Sequence, residues 1–308
     1  MSKNKIENAK KLLRSGELVI FPTETVYGLG GNANDKNEKK RIYNIKKRPE
    51  NNPIICHFEN LEEIKKDFHL SKLEEILAKK LWPGPITLIL RKKAKSKISQ
   101  LVSNKSSYVG CRIPKNKIAL QLLKNLNFPL AAPSANFSER TSVTKFEDLD
   151  KNLIKKIFTI KGEQSKLGLE STVIKVKKNS IEVLRLGIIT PNEILKVANK
   201  SKIKFIINSK ISPGNLKKHY ATKKKIRINV KKIKDDEGLI NFGKNYLKSK
   251  IINLNLSKKG NLKEASKNLF HFLHKLDQSR CKKIAIAPIP NIDLGMAIND
   301  RIKRASKE

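Results

Sequence analysis

Cysteine is scarce in this chain of 308 residues. Cys56, Cys111 and Cys281 stand alone, with no C-x-x-C pair, which argues against a disulfide framework and against a structural zinc site. Cys56 and Cys111 fall in strand-like runs and read as buried, inert thiols. Long apolar segments are missing as well. Runs such as Ile86 to Leu90 are far too short to span a bilayer, so no membrane role is expected. Met1 to Leu13 has neither an apolar h-region nor a small-residue cleavage site. It reads as a first amphipathic helix, and a cytoplasmic protein is expected. Walker A, G-x-S-x-G, H-E-x-x-H and EF-hand patterns are all absent.

Acidic residues are few, 28 against 67 basic ones, for a formal net charge of +39. Such a charge suggests non-specific RNA affinity, because lysine neutralises phosphates wherever it lies. The lysines, however, are scattered with Asn and Ile along the whole chain, as codon bias on solvated faces would scatter them. Arginine is rare, 11 residues beside 56 Lys. Its planar, bidentate fork cannot be copied by lysine, so the arginines that a Lys-biased chain keeps are informative. Arg48, Arg112, Arg140 and Arg185 lie in motif-like segments, whereas Arg301 and Arg304, on the last helix, read as surface residues. Hydrophobic residues make up 38% of the chain, enough for a core despite 31% charge.

Helical and strand patterns alternate through the first two-thirds, which indicates an α/β or α+β domain. Residues 201–224 break the alternation with a Pro-Gly turn at 213–214 and read as an interdomain linker. A new α/β pattern follows. The expected organisation is a first domain over 1–200, the linker or lid over 201–224, and a smaller domain over 225–308. Glycine and proline cluster in turns leaving strands, where an open α/β sheet builds its site.

Two segments carry the first hint of chemistry. Phe21-Pro-Thr-Glu-Thr-Val-Tyr-Gly-Leu-Gly30 leaves an apolar strand for a polar turn. Lys46-Lys-Arg-Pro-Glu-Asn-Asn-Pro53 sets Arg48 and Asn52 between two prolines. Gly28-Leu-Gly30-Gly31 lacks G-x-G-x-x-G spacing and by itself reads more as a turn than as a phosphate cradle. Pro133-Ser-Ala-Asn136, with Ser138, Arg140, Thr141, Ser142 and Thr144, offers dense donors after a buried strand. By itself it is equally a ribose or phosphate contact and an ordinary Ser/Thr loop. His271 and His274 share a helix face without an evident carboxylate partner and read as surface or core. No segment decides alone.

In order, the segments resemble the YrdC-like threonylcarbamoyl-AMP synthases in their long, two-domain form. The matching stretches are FPTETVYGLG (21–30), KKRPENNPI (46–54), WPGPITLIL (82–90), VGCRIP (109–114), PLAAPSAN (129–136), GLESTVI (168–174), LRLGIIT (184–190) and SPGNLKKHYAT (212–222). The resemblance extends to GMAINDRIKRAS (295–306) and so covers nearly the whole chain. It implies a twisted, mostly parallel α/β sheet with a large concave face, followed by a smaller Rossmann-like domain. It also implies a reaction in which L-threonine, bicarbonate and ATP give threonylcarbamoyl-AMP and pyrophosphate. A tRNA threonylcarbamoyltransferase would then carry the group to adenosine 37 of ANN-decoding tRNAs.

The family pattern places Arg48, Asn52, Tyr108, Ser134, Ser142, Arg185 and Tyr220 on ATP. It places Thr25, His57, Arg112, Ala132 and Ser171 on L-threonine. Both reactants are anionic, so catalysis is expected from positioning and charge, with Arg48 as phosphate clamp and Lys46 as a nearby point charge. No protein metal site is expected, Mg²⁺ being held through ATP oxygens. Residues 212–222 would fold over the cavity as a lid. Tyr108 stands where the family has Thr, Glu139 where it has Gly, and Leu186 where it has Pro. The competing readings are an RNA-binding or ribosome-associated protein of the same fold and a hydrogenase-maturation carbamoyltransferase. The isolated cysteines argue against the latter.

Overall fold

The computed structural model describes residues 3–47, 52–178, 180–198, 204–207, 220–245 and 247–307. Arg48 and most of the expected lid, residues 212–219, lie outside these segments. The first domain runs α1 (Lys3–Arg14), β1 (Val19–Phe21), β2 (Gly28–Asn32), α2 (Glu38–Lys46), β3 (Cys56–His57), α3 (Leu61–Asp67), β4 (Phe68–His69) and α4 (Lys72–Leu81). It continues with β5 (Ile86–Lys92), β6 (Tyr108–Arg112), α5 (Lys117–Leu123), β7 (Leu130–Ala131), α6 (Lys151–Lys156) and β8 (Phe158–Thr159). β9 (Thr172–Lys177), β10 (Ser180–Arg185), α7 (Pro191–Ala198) and β11 (Lys204–Ile207) complete it. The smaller domain holds β12 (Ile226–Arg227), β13 (Glu237–Asn241), β14 (Asn253–Asn255), α8 (Leu262–Gln278), β15 (Lys283–Ile286) and α9 (Leu294–Ala305).

The large sheet has the order β11-β10-β9-β5-β6-β3-β7-β2-β1-β8, with β4 pairing to β5. The α/β class and the large sheet are as expected, but its strand directions are more mixed than the family pattern implies. β1–β8, β3–β6, β5–β9 and β10–β11 are parallel, and the remaining neighbours are antiparallel. Short connections cause part of this: the β9–β10 turn is too short for any crossover and must reverse the chain. β11 joins the large sheet from within the stretch read as linker, so the chain leaves the first sheet only after Ile207.

Strand alternation distributes the core over both faces of the sheet. Val19, Phe21 and Leu130 pack with α1 and α5, through Ala9, Leu13, Ala119 and Leu122. Ile20 and Ala131, one residue out of phase, pack into the main core with Ile42 of α2, Leu77 of α4 and Ile194 of α7. α4 begins at a capping box in which Ser71 and Glu74 satisfy each other's backbone N–H. It ends before Pro83, which cannot continue a helix.

Gly28 to Gly31 proves to be strand, not turn. The glycines are needed because the Phe21 ring lies flat across β2. A Cβ on Gly30 would sit 2.6 Å from the ring. The run therefore packs against Phe21, and Gly28 at its start lines the cavity described below.

The second sheet, β12-β15-β13-β14, is parallel throughout. Ile240, Ile284 and Ile286 face α8 and α9, which cover one side with Leu269, Phe270, Leu273 and Ile298. That core also takes in Val26, Leu169 and Tyr220, so the two domains share packing beside the first domain's polar loops. Gly168 makes the close approach possible. It has φ +78°, and a Cβ there would lie 2.3 Å from the Ser266 carbonyl oxygen of α8.

Candidate active site

A cavity opens where loops leave β1, β3, β6, β7 and β10 and the turn into β9 arrives. Its wall contains Thr25, His57, Arg112, Ala132, Ser134, Ser171, Arg185 and Tyr220, so eight of the expected site residues meet in space. Parallel pairing of β3 and β6 sets His57 beside Arg112 in register. The polar turn after Phe21 is tied by Thr23, whose hydroxyl donates to the Val26 carbonyl (2.6 Å) and accepts from the Thr25 and Val26 amides.

Arg112 is the centre of one end. Its guanidinium donates to Glu24 Oε1 (2.6 Å), Thr25 Oγ1 (3.0 Å) and the Gly84 carbonyl (3.3 Å). Arg112 and Glu24 are both buried, 4% and 5% exposed, so the pair is largely desolvated. Each terminal nitrogen of a guanidinium carries two N–H groups, so donors remain for a carboxylate. Glu24 was absent from the expected set. Burial and the Arg112 charge lower the His57 imidazole to about 3, which leaves it neutral. Its Nδ1 is buried without a hydrogen-bond partner among the described residues.

Arg185 is the centre of the other end. It donates through Nε and NH2 to the Ser171 carbonyl (3.1 and 2.9 Å) and through NH2 to the Ser171 hydroxyl (3.0 Å). Ser171 Oγ also meets Thr87 Oγ1 at 2.8 Å. Glu170, on the cavity wall, accepts from the Ser142 hydroxyl (2.6 Å) and from Arg301 (3.0 Å). Burial alone would push the Glu170 carboxyl up. Arg301, Arg185 and the Ser142 hydrogen bond outweigh it and hold the carboxyl at about 2. Tyr220 is buried, its ring stacked on Phe270 at 5.4 Å between centroids.

Other expected residues fall outside the wall. Lys46 is buried and donates to the Ser134 (2.5 Å) and Asn136 carbonyls. It thus organises the loop that presents Ser134. Asn52 is buried just before the wall residue Pro53, its carbonyl accepting from the Tyr43 hydroxyl. Ser142 reaches the cavity only through Glu170. Tyr108 is 37% exposed and its ring carries the Lys175 ammonium at 3.7 Å, away from the cavity wall. Cys56 and Cys111 are register partners in β3 and β6, and burial raises both thiols. His271, read as lacking a carboxylate, meets Asp148 at 2.8 Å across the domain boundary. Arg301, read as surface, is completely buried.

A two-domain α/β protein with a cavity lined by arginines, hydroxyls and a neutral histidine is built to hold a small anionic ligand. Comparison makes the class specific. Residues 11–187 match the telomere recombination (Sua5/YciO/YrdC) family model, and residues 189–307 match the C-terminal domain of threonylcarbamoyl-AMP synthase. The threonylcarbamoyl-AMP synthase of Pyrococcus abyssi is 34% identical, over 98% of this chain and 94% of its own length. That of Bacillus subtilis is 30% identical, over 98% and 92%. The crystal structure of P. abyssi Sua5 complexed with L-threonine superposes with a TM-score of 0.86 at 30% identity, covering 99% of this chain and 95% of that one. The chain belongs to the threonylcarbamoyl-AMP synthase family.

Proposed function

We propose that this chain condenses L-threonine, bicarbonate and ATP into threonylcarbamoyl-AMP and pyrophosphate. The carrying observation is the convergence of Thr25, His57, Arg112, Ser171 and Arg185 on one cavity, in a chain that superposes along its length on a relative complexed with L-threonine. In chemical terms, bicarbonate and the threonine amine form a carbamate with loss of water. A carbamate oxygen then bonds to the α-phosphorus of ATP, and the bond to the departing pyrophosphate breaks.

The threonine carboxylate would lie on the remaining N–H groups of Arg112, a fork suited to two oxygens. Neutral His57 would offer its ring to the amino acid, with Thr25, the Ala132 backbone and Ser171 as further polar contacts. The nucleotide would extend towards Arg185, Ser134 and Tyr220, with Arg48 and Asn52 from the neighbouring segment and Ser142 acting through Glu170. Lys46 would hold the Ser134 loop through its bonds to the Ser134 and Asn136 carbonyls and add positive charge beside the nucleotide. Glu170 is engaged on both oxygens, and among the described residues no cluster of three or more His, Cys, Asp or Glu could hold a metal ion. Mg²⁺ would be held through the ATP oxygens, where it would neutralise phosphate charge.

No described helix is long and apolar enough to cross a membrane. The proposed reaction places the protein in the cytoplasm, where a tRNA threonylcarbamoyltransferase would take its product. The deciding experiment incubates the protein with ATP, labelled bicarbonate and L-threonine. Pyrophosphate and labelled adenylate should appear only when all three are present. Equal ATP turnover without threonine would refute the assignment.

A further inference from the structure

Arg301 lies in α9 of the smaller domain, yet it is 0% exposed and reaches the cavity's second end. Nε donates to Glu170 Oε2 (3.0 Å), NH2 to the Leu186 carbonyl (2.7 Å) and NH1 to Asp300 Oδ2 (2.7 Å). The guanidinium carbon stands 5.2 Å from the Tyr220 ring centroid, within cation–π range. Asp300 is in turn gripped by Arg304 (3.0 Å), which braces the arrangement from the same helix.

Three of these contacts, to Glu170, the Leu186 carbonyl and Tyr220, bear on the nucleotide end. Glu170 and Tyr220 are wall residues, Leu186 directly follows Arg185, and the other oxygen of Glu170 fixes Ser142. One side chain from the smaller domain therefore ties together three segments, around 170, 186 and 220. Arg112, Thr25 and His57, at the opposite end, have no contact with it. A lysine could not repeat the arrangement, because Arg301 reaches its three partners from three separate nitrogens of a planar fork, whereas an ammonium has one nitrogen. Glu170 also depends on it: without Arg301 a buried carboxylate would lose its direct ion pair.

We infer that Arg301 is a positioning residue for ATP, the smaller domain's contribution to the active site, which acts by holding Glu170, Ser142 and Tyr220 in their nucleotide-binding arrangement. The inference rests on the reading of this cavity as an ATP and threonine site.

The test compares the full-length wild type with R301K, E170Q, the double variant and R304Q. It measures pyrophosphate release with ATP and threonine varied separately, and ATP affinity by titration without turnover. R301K should raise the KM for ATP by about tenfold or more, the scale of a lost charged hydrogen bond. Its KM for threonine should stay within about twofold, a split that general loosening of the fold would not produce. R304Q, which loosens only the Asp300 brace, should raise the KM for ATP by less than R301K does. The double variant should be no worse than the poorer single one, because both break the same link. A folded R301K with unchanged ATP affinity, or with both KM values raised equally, would overturn the inference. Should R301K not fold, E170Q replaces it, and an unchanged ATP KM there overturns the inference too. A wild type without threonine-dependent pyrophosphate release would instead defeat the proposed reaction. The ATP titration would still decide the role of Arg301.

Discussion

The two ends of the cavity are built differently. The end around Arg112 belongs wholly to the first domain: Glu24, Thr25, Gly84 and His57 hold or flank the guanidinium, all on strands and loops of one sheet. The end around Arg185 is assembled across two domains. Glu170 there is shared between Ser142 of the first domain and Arg301 of the second, and Tyr220 is sandwiched by Phe270 and Arg301. The first end can be complete before any ligand arrives. The second is only as well ordered as the docking of α8 and α9. In a reaction that joins an amino acid to a nucleotide, a preformed amino-acid pocket and a domain-dependent nucleotide pocket would let ATP binding report on domain position.

The largest effect is expected from breaking the self-contained end. Arg112→Gln leaves Glu24 as a buried, unpaired carboxylate, which should cost roughly 3–5 kcal/mol of stability. Denaturant unfolding measures that loss, and calorimetric titration should show threonine binding gone. Retained threonine affinity in R112Q would break the comparison.

His57 gives the next effect. Its pKa falls from 6.5 to about 3 on folding, so below pH 6.5 the unfolded chain binds a proton that the native chain refuses. The stabilisation is fully present above pH 6.5 and is lost as the pH falls towards 3, at a scale of a few kcal/mol. His57→Asn should flatten that part of the stability–pH curve. A slope identical to wild type would mean that the imidazole is not held neutral.

Tyr220→Leu addresses the shared end. Loss of the stack on Phe270 should cost about 1 kcal/mol, and the KM for ATP should rise while that for threonine holds. Equal changes in both would erase the distinction between the ends.

The smallest effect is expected at Glu139, which adopts φ +67° in the loop whose carbonyl accepts from the Ala221 amide (2.6 Å). Relief of left-handed strain by Glu139→Gly should add about 1 kcal/mol or less, with both KM values unchanged. A thermal melt would detect it. A destabilised E139G would show that the Glu side chain does more than tolerate its turn.

Much of this was legible in residue order. The alternation of helical and strand patterns through the first two-thirds pointed to the α/β class, and the Pro-Gly turn at 213–214 to a break between domains. Each of these is a local property, decided within a turn or a strand. The misses have a common cause. Gly28 to Gly31 looks like a turn until Phe21 is seen lying across it. β13 is one of the two inner strands of the smaller sheet, yet Glu237-Gly-Leu-Ile-Asn241 is too short and too polar at its ends to announce itself. Seven of the eight wall residues fall in motif segments, and His57 lies just past one of them. Glu24 and Glu170 lie within two of those same segments, but nothing local says that each will be matched to an arginine far along the chain.

The sequence by itself determined the family, the reaction class and most of the polar groups that face the cavity, because motifs record local chemistry at fixed spacing. Only the tertiary structure decided which arginines pair with which carboxylates, that Tyr108 stands outside the wall, and that Arg301 is buried rather than exposed. Those outcomes depend on through-space partners separated by about ninety to one hundred and thirty residues, such as Glu24 with Arg112 and Glu170 with Arg301. Burying a charge is costly until its partner is in place. The identity of that partner is a property of the fold, not of any stretch of chain.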